Sequence, residues 1–315
     1  MRIFLFAVFL AFNASAQNYP TKPIRLVVPF APGGSSTIVG RSVAAEMEKA
    51  LGQAIVIENK GGGGNPAMLD VARADPDGYT LLITHIGSLA LNPYLYSSLP
   101  FDVNRDFVHV SLLAKVPNIF VVHESVPAKD AREFVALAKK DPGKYYYGSA
   151  GNGSAGHLAM EYFKLVSGIQ LQHVPYKGTG PNLVDLVAGR THATSAGTPP
   201  LMPHVKSGKL RVIGVGSPQR LPSIADAPTI AEQGYAGFET SQWYGLSAPA
   251  KTPEAVIKRL ALEAAKAAKS PAVAERFKAD DAEAVGSTPQ EYADFVAKEQ
   301  ARWKDVIQKA KVKID

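Results

Sequence analysis

The sequence predicts an α/β chain built as two units that face each other across a cleft. Three observations carry this. From residue 24 onward, short β-branched runs alternate with amphipathic stretches, the order of parallel βαβ units. The alternation restarts after Pro117. Two apolar runs, at 107–113 and 210–215, lie where the chain would pass from one unit to the other and back.

Met1-Arg2, the apolar run 3–12 and Ala14-Ser15-Ala16 precede all of this in the charged, apolar, small-residue order of a secretory leader, with cleavage expected after Ala16. The leader's apolar run is too short to span a bilayer, which takes about 20 residues of helix. Its removal leaves about 300 residues, room for two domains of ordinary size. The chain has no Cys, which excludes disulfides, thiol chemistry and a lipid-attachable thiol behind the leader, so a free periplasmic protein is expected. A net charge of +6 with no dense Lys/Arg run points away from nucleic acid.

In the first unit, strands are expected at 24–28, 54–58 and 80–84 and helices at 37–51 and 66–73, with Gly52 stopping the first helix. In the second, strands are expected at 119–122, 145–147, 171–174, 193–196 and 210–215, and helices at 131–140, 158–166, 182–187 and 200–207. The last 65 or so residues read as helical, started by Thr252-Pro253, Ser270-Pro271 and Thr288-Pro289, the last with Glu291 completing a capping box. The resulting division is 1–16 leader, 17–113 plus 217–315 first domain, and 114–216 second domain.

Two loops carry the chemistry. PFAPGGSS at 29–36 follows a strand and precedes a helix, so its glycines turn the backbone while N–H groups and hydroxyls face an anion at the helix start. GSAGNGSAGH at 148–157 occupies the same position in the second unit. Its G-x-G-x-x-G does not make a dinucleotide site, because the stretch about 20 residues on, QHVPYK, offers no carboxylate for a ribose; no cofactor is expected. Ser149 and Ser154 each miss the first glycine of a G-x-S-x-G elbow. A hydrolase using Ser154, His157 and Glu161 is the rival from another class. The seven histidines form no H-E-x-x-H or tight pair, so no metal is expected. His157 sits beside the second loop, either donating to a ligand or bracing the loop, and His85 stands at a strand end that should face the cleft.

Seven runs in order along the chain resemble the periplasmic solute receptors of tripartite tricarboxylate transporters, the Bug receptors, an extracytoplasmic solute-binding protein family. They are YPTKPIRLVVPFAPGG at 19–34, DPDGYTLL at 75–82, NPYLY at 92–96, YGSAGNG at 147–153, HVPYKG at 173–178, APTIAE at 227–232 and WYGL at 243–246. The resemblance implies a Venus-flytrap periplasmic binding protein with its ligand in the interdomain cleft and no catalytic residues. It also implies delivery of a small carboxylate or related anion to a membrane permease; a sensor protein as partner is the alternative, and a monomer is expected. By motif position it assigns ligand contacts to Phe30, Gly34, Ser35, Ser36 and Thr37 and to Ser149, Asn152, Gly153, Ser154 and His157. Gly197 and Thr198, after the strand 193–196, complete the set. Where many relatives carry Asp this chain has Thr37, and where Asp-Asn is common it has Ala196-Gly197. The expected ligand therefore has carboxylate or otherwise neutral polar character and no free ammonium, unless Thr37 merely replaces an Asp helix cap.

Overall fold

The computed structural model describes residues 19–310; the leader and its cleavage position after Ala16 lie outside them. The chain runs β1 (Ile24–Val28), α1 (Ser35–Leu51), β2 (Ile55–Asn59), α2 (Asn65–Ala72) and β3 (Thr80–His85). A π-helical turn (Gly87–Leu91) and α3 (Asn92–Leu95) lead into β4 (Phe107–His123). Then come α4 (Ala131–Lys140), β5 (Tyr146–Ser149), α5 (Ala155–Ser167), β6 (Gln172–Pro175), α6 (Thr179–Val187), β7 (Ala193–Gly197), α7 (Thr198–Lys206) and β8 (Leu210–Val215). The chain finishes with β9 (Ser241–Pro249), α8 (Glu254–Ala268), α9 (Pro271–Ala279), β10 (Glu283–Ala284) and α10 (Pro289–Ala310).

Two sheets share β4. The first has the order β2-β1-β3-β9-β4, with β10 also on β4; the second continues β4-β7-β5-β6, with β8 also on β4. Pairing is parallel within β2-β1-β3 and within β7-β5-β6, as the βαβ reading requires, and antiparallel along β4 and β9. In both parallel sets, strand carboxyl ends and helix N-termini collect at one edge, where ligands of open α/β sheets bind.

The sequence treats Pro117 as a break between two strands. The 17-residue β4 runs through it, pairing with β9 up to Pro117 and with β7 from Asn118. The return lies beside that point: Gly216 N–H donates to Asn118 O at 2.8 Å, Thr240 N–H donates to Gly216 O at 2.8 Å, and Ser241 pairs with Pro117.

Residues 217–240, assigned to the first unit on sequence, pack on the second sheet. Ile230 and Phe238 bury with Phe120 and Phe163, and Leu221 with Ile119 and Val215. The reason is β9, which carries no apolar alternation because eight of its nine residues are buried, so it does not read as a half-exposed strand. Its Gly245 is required by packing, since a Cβ there would overlap the Tyr292 ring.

The C-terminal helices close the first unit. Val256, Ile257 and Leu260 of α8 pack with Val39, Val43 and Met47 of α1. The α10 face formed by Tyr292, Val296, Trp303 and Ile307 joins Trp243 and Leu91. The capping box is present: Glu291 N–H donates to Thr288 Oγ1 at 3.2 Å and Thr288 N–H donates to Glu291 Oε2 at 2.8 Å.

Candidate ligand-binding site

After β1 the loop over Pro29 to Gly34 is clamped from β2. Asn59 Nδ2 donates to Phe30 O at 2.8 Å and to Thr37 Oγ1 at 2.9 Å. Gly34 caps α1 without a side chain, and its carbonyl accepts from the N–H groups of Thr37 and Ile38. The first N–H groups of α1, on Ser35 and Ser36, have no intrahelical acceptor and face the cleft as an anion-attracting end.

The second loop braces itself. Ser149 Oγ accepts from Gly151 N–H at 3.1 Å and meets His173 Nε2 at 2.7 Å. His157 Nδ1 accepts from Gly153 N–H at 3.3 Å. The rings of Tyr147, His173 and His157 form a continuous stack, with centroids 4.7 and 4.3 Å apart. Burial depresses the His157 pKa to about 4 and that of His173 to about 3, so both rings are neutral near pH 7. Gly151 and Gly153 hold φ of 122° and 73°, a region other residues enter only with strain.

The two loops meet. Ala31 N–H donates to Lys177 O at 2.9 Å, Tyr96 Oη to Asn152 O at 3.5 Å, and Thr198 Oγ1 to Asp280 O. Beneath these contacts lies a small cavity. Phe30, Ser35, Ser36, His85, Gln242 and Tyr244 line it from the first sheet's side, and Ala150, Ser154, Thr179, Asn182 and Ser195 from the second's, with the first residues of α5. None of the described lining residues is charged.

Four lining residues carry a buried polar atom without a hydrogen-bond partner: Ser36 Oγ and His85 Nε2 on one side, Asn182 Oδ1 and Ser195 Oγ on the other. An unpaired buried polar group costs about 1–3 kcal/mol, so four around one cavity mark a place where a guest supplies the partners. His85 Nδ1 accepts from Gly87 N–H at 3.0 Å, which puts the proton on Nε2 and makes that atom a donor. Burial lowers the His85 pKa to about 3, so the donor is neutral.

The site is tied to the strand crossing. Gln242 Nε2 donates to Asn118 Oδ1 at 2.5 Å, and the Tyr244 hydroxyl donates to Gln242 Oε1.

Of the residues expected from sequence, Phe30, Ser35, Ser36, His85 and Ser154 line the cavity. Thr37 turns to Asn59, Ser149 and His157 brace the second loop, and Thr198 holds Asp280. Gly34 lies against Thr179, Gly153 against Asn92, and Gly197 against Ser35, each a close approach, while Asn152 meets Tyr96 at the rim. The sequence reading missed Thr179, Asn182, Ser195, Gln242 and Tyr244. The first two follow the glycine of HVPYKG and were legible as a third strand-to-helix turn.

The rival hydrolase geometry is not formed. Ser154 Oγ accepts from the His157 backbone N–H at 3.3 Å as a helix cap, and the Glu161 carboxylate goes to Tyr147 and to Lys164 at 2.7 Å. Among the described residues, no group of three or more His, Cys, Asp or Glu is placed to hold a metal, and no helix is long and apolar enough to cross a membrane.

The model of the tripartite tricarboxylate transporter family receptor matches residues 39–312. The chain belongs to that family. It is 35% identical to Protein BugT of Bordetella pertussis over 99% of this chain and 96% of the relative. Among solved structures, the periplasmic binding protein BugD superposes with a TM-score of 0.91 at 34% identity, covering 94% of this chain and 99% of BugD. A Rhodopseudomonas palustris protein solved with adipate gives 0.89 at 36% identity, covering 93% and 98%. MatC of the same organism, with bound malate, gives 0.88 at 33%, covering 92% and 100%. The fold is that of the family's solute-binding proteins, as the sequence resemblance implied.

Proposed function

We propose that this receptor captures a small carboxylate between its two units by closure about the β4–β9 crossing and delivers it to a membrane permease of the tripartite type. The carrying observation is the set of four unpartnered polar atoms, two from each side, around one uncharged cavity bordered by helix N-termini. Such a site holds an anion through neutral donors and helix dipoles. The adipate and malate in related structures support the class of guest. A ligand that bonds both walls favours the closed form by its differential affinity for the two states.

In this reading the protein acts without catalysis, which its membership of a receptor family supports. We also propose that it acts in the periplasm, and as a monomer. The lining residues offer no carboxylate for an ammonium, so a deaminated acid binds more tightly than the matching amino acid.

The test is a thermal-shift screen of residues 17–315, unfolded and refolded to strip carried-over ligand, against mono-, di- and tricarboxylates, aromatic acids and amino acids. A carboxylate at about 100 times its dissociation constant adds roughly 2.7 kcal/mol, a shift of several degrees, and is recovered unchanged. Consumption of the compound, or no shift with any carboxylate, contradicts the reading.

A further inference from the structure

The cavity's unpartnered atoms are not chemically equivalent. The Ser36 and Ser195 hydroxyls can rotate to donate or accept, so they accept either kind of guest atom. His85 and Asn182 cannot adapt. The Gly87 N–H fixes His85 Nε2 as a donor. Asn182 is fixed by a chain on the opposite wall: Thr194 Oγ1 donates to Gly148 O at 2.8 Å, so it accepts from Asn182 Nδ2 at 2.9 Å. The amide nitrogen is thereby occupied and the oxygen is the atom left without a partner. Gly148 holds this arrangement open, because a Cβ there would overlap Asn182 Oδ1. Both residues are almost wholly buried, His85 at 2% and Asn182 at 1% exposure.

A bare carboxylate supplies acceptors only. It satisfies His85 and leaves Asn182 Oδ1 either unpaired or facing repulsive lone pairs. We propose that the ligand is a hydroxy acid, with its carboxylate on the Ser36–His85 side and a hydroxyl donating to Asn182 Oδ1, so that Asn182 determines specificity. This rests on the carboxylate reading of the cleft and narrows it. A site with a buried acceptor selects for the guest that brings a donor, because the analogue lacking it strands that acceptor.

The test is calorimetric titration of the stripped protein with matched pairs differing by one hydroxyl: malate against succinate, and citrate against tricarballylate. At least one pair is expected to show the hydroxylated member binding about tenfold or more tightly. In Asn182→Ala the preference falls to near unity, chiefly by loss of affinity for the hydroxylated member. Thr194→Val, which frees the amide to turn, lowers the preference while keeping Asn182, and guards against a folding defect in the first variant. Equal affinity within every pair that binds overturns the proposal and gives Asn182 Oδ1 to a bound water, leaving the carboxylate reading intact. A preference unchanged in both variants also overturns it. Binding of no member of any pair, nor of any other carboxylate, removes the reading of the cleft and this proposal with it.

Discussion

The two loops that face each other across the cleft look alike in sequence and work differently. In the first, the clamp is external: Asn59 reaches in from β2, and Ser35 and Ser36 line the cavity, the Ser36 hydroxyl without a partner. In the second, the clamp is largely internal: Ser149 Oγ and His157 Nδ1 accept from the loop's own N–H groups, with His173 of β6 bonding Ser149, so the hydroxyl and ring expected to meet a ligand are already engaged. The second unit's side-chain contacts come instead from α6 and β7, through Thr179, Asn182 and Ser195. A polar residue in a glycine-rich loop therefore has two competing uses, and the backbone beneath it decides between them.

Four variants or conditions probe that contrast. The largest effect belongs to the contact between the lips. A Cβ on Gly180 would overlap Pro32 O across the cleft, while its own backbone conformation suits any residue. Gly180→Ala should therefore weaken ligand binding about a hundredfold by depopulating the closed form, with the melting temperature of the unliganded protein unchanged. A melting temperature that falls along with affinity would show the contact to be structural.

Ser36→Ala removes a cavity hydroxyl that no protein atom uses. Affinity should drop about tenfold at unaltered stability, as calorimetry and a melt on the same sample would show. Ser149→Ala should do the reverse, costing about 1–2 kcal/mol of stability with affinity within about threefold, because His173 and Gly151 lose their partner. If both variants behave alike, the contrast between the loops fails.

The stacked histidines make the second loop sensitive to acid, as His85 does beside the first. His157 and His173 titrate in the folded protein near 4 and 3, below the unfolded value of 6.5. The unfolded chain thus binds more protons between these values, and stability is full above about pH 6.5 and falls as pH drops towards 4 and below. His173→Gln, which retains a donor for Ser149 without a titrating ring, should flatten part of that slope in melts between pH 7 and pH 4.

Much of the fold was legible because its signals are local. Parallel βαβ order, Gly52 in the left-handed C-cap and the Thr288–Glu291 box each depend on residues close in sequence. The strand β9 was not legible, since burial on both faces erases the alternation that marks a strand, and with it went the position of the return crossing and two cavity residues, Gln242 and Tyr244. Pro117 misled for a related reason: it sits where β4 passes from β9 to β7, so the missing N–H breaks no continuous ladder. For the site, the loops were identified by composition, whereas the aim of each side chain depended on partners 20 or more residues away, such as Asn59 for Thr37 and His173 for Ser149.

The central claim is that a carboxylate sits between the two sheets and bonds both walls. A crystal structure of the stripped protein with the best carboxylate from the screen tests it most directly. The account predicts carboxylate oxygens within hydrogen-bond distance of Ser36 Oγ and His85 Nε2, with a second polar group of the ligand on Asn182 or Ser195. A ligand lodged instead in the surface groove between Lys22, Arg25, Arg73 and Tyr79, with the cleft empty, would contradict it.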